Sequence, residues 1–335
     1  MIKILLIIIS LLPISVISAN AISEILMTVD GEEIQSSEFE YLYHKNQNQQ
    51  LDPISFDEYL ELFKIYRLKI ADARHAGIDT TKTFRKEISQ YKGELLLPYL
   101  NEETSDKSEE VSKKIKIDYD RLRTKFGSNL SKQQLLRKEE AWLYINNPEY
   151  RNLIKEYIDG SMLYEISLRK VWEPGMNDTV GLSEFFKKNR SNYEWDSPRI
   201  KCILVQATSD SIAEIIKQKT NLLSSDSIIA FVRKNFPQEA YAEKVLKSAG
   251  ENDMIDFLFF DGNKSEPKIK GWKVFFALNS RILNVPEEFS DVKDLVSTDF
   301  QIELENKWIE DLKRKYKIEI NESELKSIKE KVSSP

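Results

Sequence analysis

The chain has 335 residues, 41% of them hydrophobic and 31% charged, and its 49 basic and 55 acidic side chains give a formal net charge of −6. Such a length holds roughly two domains with real cores, and the composition excludes a collagen-like, low-complexity or polytopic membrane chain. Without a basic surplus nothing points to a nucleic-acid partner. One cysteine excludes an intramolecular disulfide or a cysteine zinc cage, and two histidines leave little material for a histidine metal site or a Ser-His-Asp triad.

Met1-Ile2-Lys3 is a short positive start, and the apolar run from Ile4 to Leu12 is too short to cross a bilayer, so residues 1–21 read as a signal peptide. Ala19-Asn20-Ala21 places the cut near Ile22, with Ala19 as the rival; a membrane anchor is the alternative, and no cysteine stands behind the run to carry a lipid. Met27 to Ile34 reads as a short strand carrying an Asp30-Gly31 turn, and Ser36 or Ser37 caps a helix running through His44. Ser55 and Glu58 have the spacing of a capping box, Phe56, Tyr59, Leu60, Phe63, Ile70 and Ala71 follow at helical spacing, and Gly77 closes the helix. Asp79-Thr80-Thr81 opens a third helix with Phe84, Ile88, Tyr91 and Leu95 on one face, until Pro98 stops it.

Residues 101–114 are polar and mixed in charge, as in a linker. Ile115 to Trp142 is helical with an interruption at Gly127-Ser128-Asn129, and Pro148 suits the first turn of a helix that runs toward Trp172 with Tyr150, Leu153, Ile154, Tyr157, Ile158 and Leu163 on a wide apolar face. A break is expected at Pro174-Gly175, then a helix from Val180 to Asn189.

After Trp195 the pattern changes. Strands are expected at 199–206, 241–246, 267–270 and 271–278, and helices at 211–218, 227–236 and 253–260, the last ended by Gly262; the order is β-α-α-β-α-β-β. The tail returns to helix from Asp291 to about Tyr316, with Val292, Leu295, Val296, Phe300, Leu304, Trp308, Ile309 and Leu312 toward a core, and Lys317 to Asn321 alternates like a half-buried strand. A lone strand must satisfy its backbone somewhere, so Met27–Val29 is expected to pair with Lys317–Ile320. The fold class is α+β, predominantly helical.

The segments VDGEEIQSSEFEYLYHK and SFDEYLELFKIYRLKIADARHAGIDTTKTFRKEISQY, the region from Asn147 to Trp195, and the tail EEFSDVKDLVSTDFQIELENKWIEDLKRKYKIEIN resemble SurA-like periplasmic chaperones. In that family the C-terminal helix and strand fold back on the N-terminal helical module. Residues 198–281 are similar to a parvulin domain, the peptidyl-prolyl isomerase unit such chaperones often carry. Cys202 and Lys273 stand where parvulins place two histidines, and the glycine-rich turn of active parvulins is missing, with only Gly250 and Gly262 between the segments Ile200–Val205 and Gly271–Phe275. The resemblance implies a module at 22–100, helices completing it at 101–196, a parvulin-like domain that has lost catalysis at 197–283, and a returning helix and strand at 284–335.

Cys202 beside Lys273 on neighbouring strands would make a reactive thiolate; the alternative is an inert buried thiol beside a solvated lysine, and no catalytic residue is assigned. His44 and His75 read as surface residues, the Glu32-Glu33, Glu102-Glu103 and Glu109-Glu110 pairs as solvated faces, and no nucleophile elbow, phosphate loop or HExxH motif occurs. Aromatic side chains, 10% of the chain, supply candidates for an apolar groove that holds non-native polypeptide: Tyr41, Tyr43, Tyr59, Phe63 and Tyr157. The sequence therefore reads as a periplasmic chaperone that binds unfolded or extended envelope and outer-membrane clients without cofactor, nucleotide, nucleic acid or stable membrane insertion. An active prolyl isomerase and a non-catalytic structural envelope protein are the alternatives.

Overall fold

The computed structural model describes residues 24–49, 54–100, 117–260 and 266–333. The expected signal peptide, the 101–114 linker and the stop at Gly262 lie outside the described residues. In chain order the elements are β1 (Ile25–Val29), β2 (Glu32–Gln35), α1 (Ser36–Gln49), α2 (Phe56–His75), α3 (Lys82–Leu96), α4 (Tyr119–Phe126), α5 (Lys132–Asn146), α6 (Pro148–Ser167), α7 (Glu173–Asn177) and α8 (Thr179–Lys188). There follow β3 (Arg199–Ala207), α9 (Asp210–Thr220), α10 (Ser225–Asn235), β4 (Ala240–Lys247), α11 (Asp253–Ile255), β5 (Val274–Leu283), α12 (Lys293–Lys315), β6 (Ile318–Ile320) and α13 (Glu322–Ser333). The fold is α+β and mostly helical, with two three-stranded antiparallel sheets ordered β2-β1-β6 and β4-β3-β5. It divides into two units: residues up to Pro174 together with those from Gln301, and the contiguous Gly175–Phe300. The second unit is thus wider than the expected 197–283, taking in α8 and the stretch from 284 to Phe300.

The first unit begins at a hairpin whose turn residues, Asp30 at φ 52° and Gly31 at φ 81°, are both left-handed, the backbone a two-residue hairpin loop demands. The tail strand completes the sheet as expected: Met27 pairs with Ile320, Thr28 with Glu319 and Val29 with Ile318, and the Asp30 N–H donates to the Lys317 carbonyl at 3.0 Å. The Ser55 and Glu58 capping box forms in both directions, at 3.3 and 3.0 Å, and Gly77 follows α2 at φ 70°. Asn147 caps α6, accepting from the Tyr150 N–H at 3.0 Å. The expected break at Pro174-Gly175 is absent: the helix continues through a widened π turn, Leu168–Trp172, into α7. Proline disrupts a regular helix by meeting the carbonyl four residues back, and a widened turn just before it shifts that carbonyl out of register.

One core of this unit joins Leu26, Met27 and Val29 of β1, Phe39 of α1, Phe63, Leu68 and Ile70 of α2, Met162 and Ile166 of α6, and Trp308 and Leu312 of α12. A second joins Leu96, Leu100, Leu122, Leu135, Leu143, Tyr150 and Ile154. The sequence reading assigned nothing after Asn321, yet α13 is there, burying Ile328 between the half-buried Leu325 and Val332. Three apolar residues in a Lys- and Glu-rich segment give a faint pattern; its clearer signal is Asn321, whose Oδ1 accepts from the Glu324 N–H at 3.3 Å.

In the second unit β3 lies between β4 and β5. Ile203, Val205 and Ala207 face α9 and α10 through Ala213, Ile216, Ile228 and Val232, while Ile200, Cys202 and Leu204 face Val245, Ile255 and the Met254–Phe260 turn. The expected strand at 267–270 does not form, and the last strand starts at Val274 and runs past Leu278 to Leu283. Its register against β3 shifts between Lys201 and Ile203, and Asn279, at φ 52°, lies in the extra residues of that bulge. Gly181 on α8 is required by a close approach, since a Cβ there would stand 2.8 Å from the Phe300 ring. Leu295, expected in a core, is exposed at 60%, because the buried stripe of α12 passes instead through Val296 and Phe300.

Candidate functional site

The structure sorts the five aromatic candidates into three environments. Tyr43, Tyr59 and Phe63 are buried around Phe39, whose ring centroid lies 6.1, 5.5 and 5.1 Å from theirs. Tyr59 and Phe63 meet Phe39 edge to face and Tyr43 stacks on it, which is core packing, so these three rings are corrected from groove lining to the interior of the first unit. Tyr41 borders a void of about 10 Å³, room for one water, among charged groups of α1, α2 and α6. Its hydroxyl donates to Glu156 at 3.4 Å, and burial together with that carboxylate raises its pKa. Tyr157, half-buried like Tyr41, stacks its ring on Tyr91 at 3.7 Å with 4° between the planes, and its hydroxyl donates to Glu87 at 3.0 Å.

Beside that stack lies an open recess of about 430 Å³ among α3, α5 and α6, lined by Asp79, Phe84, Arg85, Ile88, Ser89, Lys92, Glu140 and Ile158. Phe84, Ile88 and Ile158 make its apolar floor, and Lys92 pairs with Glu140 at 3.4 Å across it. One carboxylate oxygen of Asp79 is sealed from water and accepts no hydrogen bond. The spacing places Phe84, Ile88 and Tyr91 on one helix face without showing that Phe84 and Tyr91 stay half-buried. The available signal was their spacing on a helix otherwise made mostly of Lys, Arg, Glu, Gln and Ser.

Two polar clusters tie α2 to the rest of the first unit. Arg67, with its side chain 1% exposed, donates to Glu38 at 2.8 Å, Asp159 at 2.7 Å and Glu32 at 2.9 Å, which ties α2 to α1, α6 and β2. Lys155 pairs with Glu38, and the Tyr66 hydroxyl donates to Asp159 at 3.2 Å. Asp72 accepts from the Trp308 indole at 3.0 Å, Lys315 at 2.8 Å and the Tyr316 hydroxyl at 2.9 Å, and so joins α2 to the returning tail. Burial pushes the Asp72 carboxyl upward, but hydrogen bonds from Lys315, Trp308 and Tyr316 outweigh it and hold the pKa below the usual range.

In the second unit the structure does not bring Cys202 and Lys273 together. The Lys273 N–H donates to the Ala207 carbonyl, five residues along β3 from Cys202, which is roughly 17 Å at about 3.3 Å per strand residue. Lys273 is exposed and Cys202 buried, and burial pushes the thiol up to about 11, the opposite of an activated thiolate. His75 accompanies Asp30 at 2.6 Å on the surface, and His44 is likewise exposed. Among the described residues, no helix is long and apolar enough to cross a membrane.

No family model and no curated protein matches the chain. Among solved structures it is similar to a SurA-like chaperone of the human pathogen Campylobacter jejuni, described with the virulence factor PEB4 and the periplasmic protein Cj1289. The two share 15% identity over 88% of this chain and 98% of that one, at a TM-score of 0.28, a likeness too slight to assign a role.

Proposed function

We propose that the chain is an exported, SurA-like chaperone of the periplasm that holds extended segments of unfolded envelope or outer-membrane clients in the recess among α3, α5 and α6. The observation that carries this is the recess itself: an open concavity of about 430 Å³ with Phe84, Ile88 and Ile158 at its floor. Exposed apolar concavities cost free energy in water and are characteristic of binding sites. Arg67 holds α6 to α2 through Asp159 and Lys92 joins α3 to Glu140 of α5, so the recess is shaped by the fold and binding spends little on ordering it. Release follows from weak contacts and fast exchange, without nucleotide.

Light scattering of a client diluted from denaturant tests this. Wild type should suppress aggregation at near-equimolar ratio, and Ser89→Trp, which fills the recess from an exposed position, should lose that suppression while unfolding at the same urea midpoint. Equal suppression by both proteins refutes the recess, and suppression by neither favours a structural envelope role. A prolyl-peptide assay coupled to a protease addresses the isomerase alternative; a rate increase abolished by changes in Gly175–Phe300 would establish it.

A further inference from the structure

We propose that the face of β1 and α1 beneath α13 is a second docking surface with α13 as its resident occupant, and that a cationic amphipathic helix of another polypeptide takes the seat when α13 lifts. The resident supplies the outline of what fits. α13 lies against β1 and α1 and sets Leu325, Ile328 and Val332 on the core that holds Phe39 and Phe56, the spacing of a helix that lays one apolar stripe into a groove. The receiving rim is acidic: Lys329 reaches Asp57 at 2.7 Å and lies 5.6 Å from the centre of the Phe56 ring, and Lys331 reaches Glu40 at 2.9 Å. An entering segment therefore needs three apolar residues at i, i+3 and i+7, with basic residues one and three places after the middle one.

The sheet does not depend on α13 staying in place. Asn321, just before it, is pinned to β1: its N–H donates to the Leu26 carbonyl at 2.9 Å and its side-chain amide to the Ile25 carbonyl at 3.2 Å, so the helix can swing out from that point while β6 remains paired. The hold is modest. Ile328 is buried between the half-buried Leu325 and Val332, Ser36 donates to Glu324, and both lysine pairs are exposed, where solvent and salt leave ion pairs little strength. Once detached, a helix of 12 residues is marginal in water, and the chain entropy regained on melting favours release. None of these groups belongs to the recess among α3, α5 and α6, so the two sites stand or fall separately.

The test is fluorescence anisotropy of a fluorescein-labelled peptide copying Asn321–Ser333, added to the whole chain. In wild type the peptide competes with a tethered resident, so it should bind at least about tenfold more weakly than to Ile328→Asp, in which α13 is released. A peptide with both lysines replaced by glutamate should bind Ile328→Asp about fivefold more weakly, the loss of two exposed pairs, and one with aspartate in place of the isoleucine should not bind. Lys329→Glu combined with Lys331→Glu in the protein changes exposed positions only and should also tighten binding of the unmodified peptide, so the question is decided even if Ile328→Asp does not fold. Equal binding by wild type and the released variants, or binding by none of them, overturns the docking surface. Amide hydrogen exchange gives a second reading: α13 should exchange well before β1, and equal protection of the two overturns the proposal, because a helix that opens only with the sheet is part of the core.

Discussion

Replacing Asp72 by alanine removes the acceptor for three donors at once. Two of them are buried, with Trp308 6% and Tyr316 4% exposed, so their N–H and O–H groups are left without water. A buried donor deprived of its partner costs about 1–3 kcal/mol, and Lys315, half exposed, adds little, so Asp72→Ala should lose about 3–5 kcal/mol. Asparagine keeps the shape and one acceptor oxygen, while its amide nitrogen meets a donor, so Asp72→Asn should cost about half as much. The carboxyl is held below its ordinary pKa, so its contribution is complete above about pH 4 to 5 and is lost as pH falls through the depressed value; the Asn variant lacks that acid limb. Urea unfolding followed by tryptophan fluorescence and circular dichroism measures this, and the contiguous second unit, which holds none of these groups, serves as the internal control. A loss below about 1 kcal/mol in Asp72→Ala would refute the assignment of Asp72 as the joint between α2 and the tail.

Arg67→Met should destabilise the first unit by about 3 kcal/mol, the low end for breaking a buried ion pair, because Lys155 still reaches Glu38 and Arg74 stands 3.6 Å from Asp159; thermal unfolding reads the loss. Cys202, buried and with its thiol pushed up to about 11, should react with a disulfide reagent at pH 8 only at the rate at which the second unit opens, and at once in denaturant.

Features decided by neighbours in sequence were legible from the sequence. The Asp30-Gly31 turn, the Ser55 and Glu58 box and the Asn147-Pro148 helix start are local chemistry, and each stands where its residues put it. The pairing of β1 with β6 was accessible by a different route, because backbone groups on a lone short strand leave few partners. Helical spacing shows which face is apolar without showing what covers it. Tyr43, Tyr59 and Phe63 lie on a face that Phe39 and Phe56 close, whereas Phe84 and Ile88 lie on one left partly open. The separation of Cys202 from Lys273 depends on where β5 begins, and the helical path through Pro174 on a π turn that no residue type announces.

The sheet of the first unit has a bearing on the order in which the molecule matures. Its central strand is made at residues 25–29, whereas the outer strand that flanks it waits for residue 318, and α13 for still later ones. Residues 175–300 close on contacts within one stretch and can mature while synthesis continues, but β1 stays without its second neighbour until the strand at Ile318–Ile320 has been made.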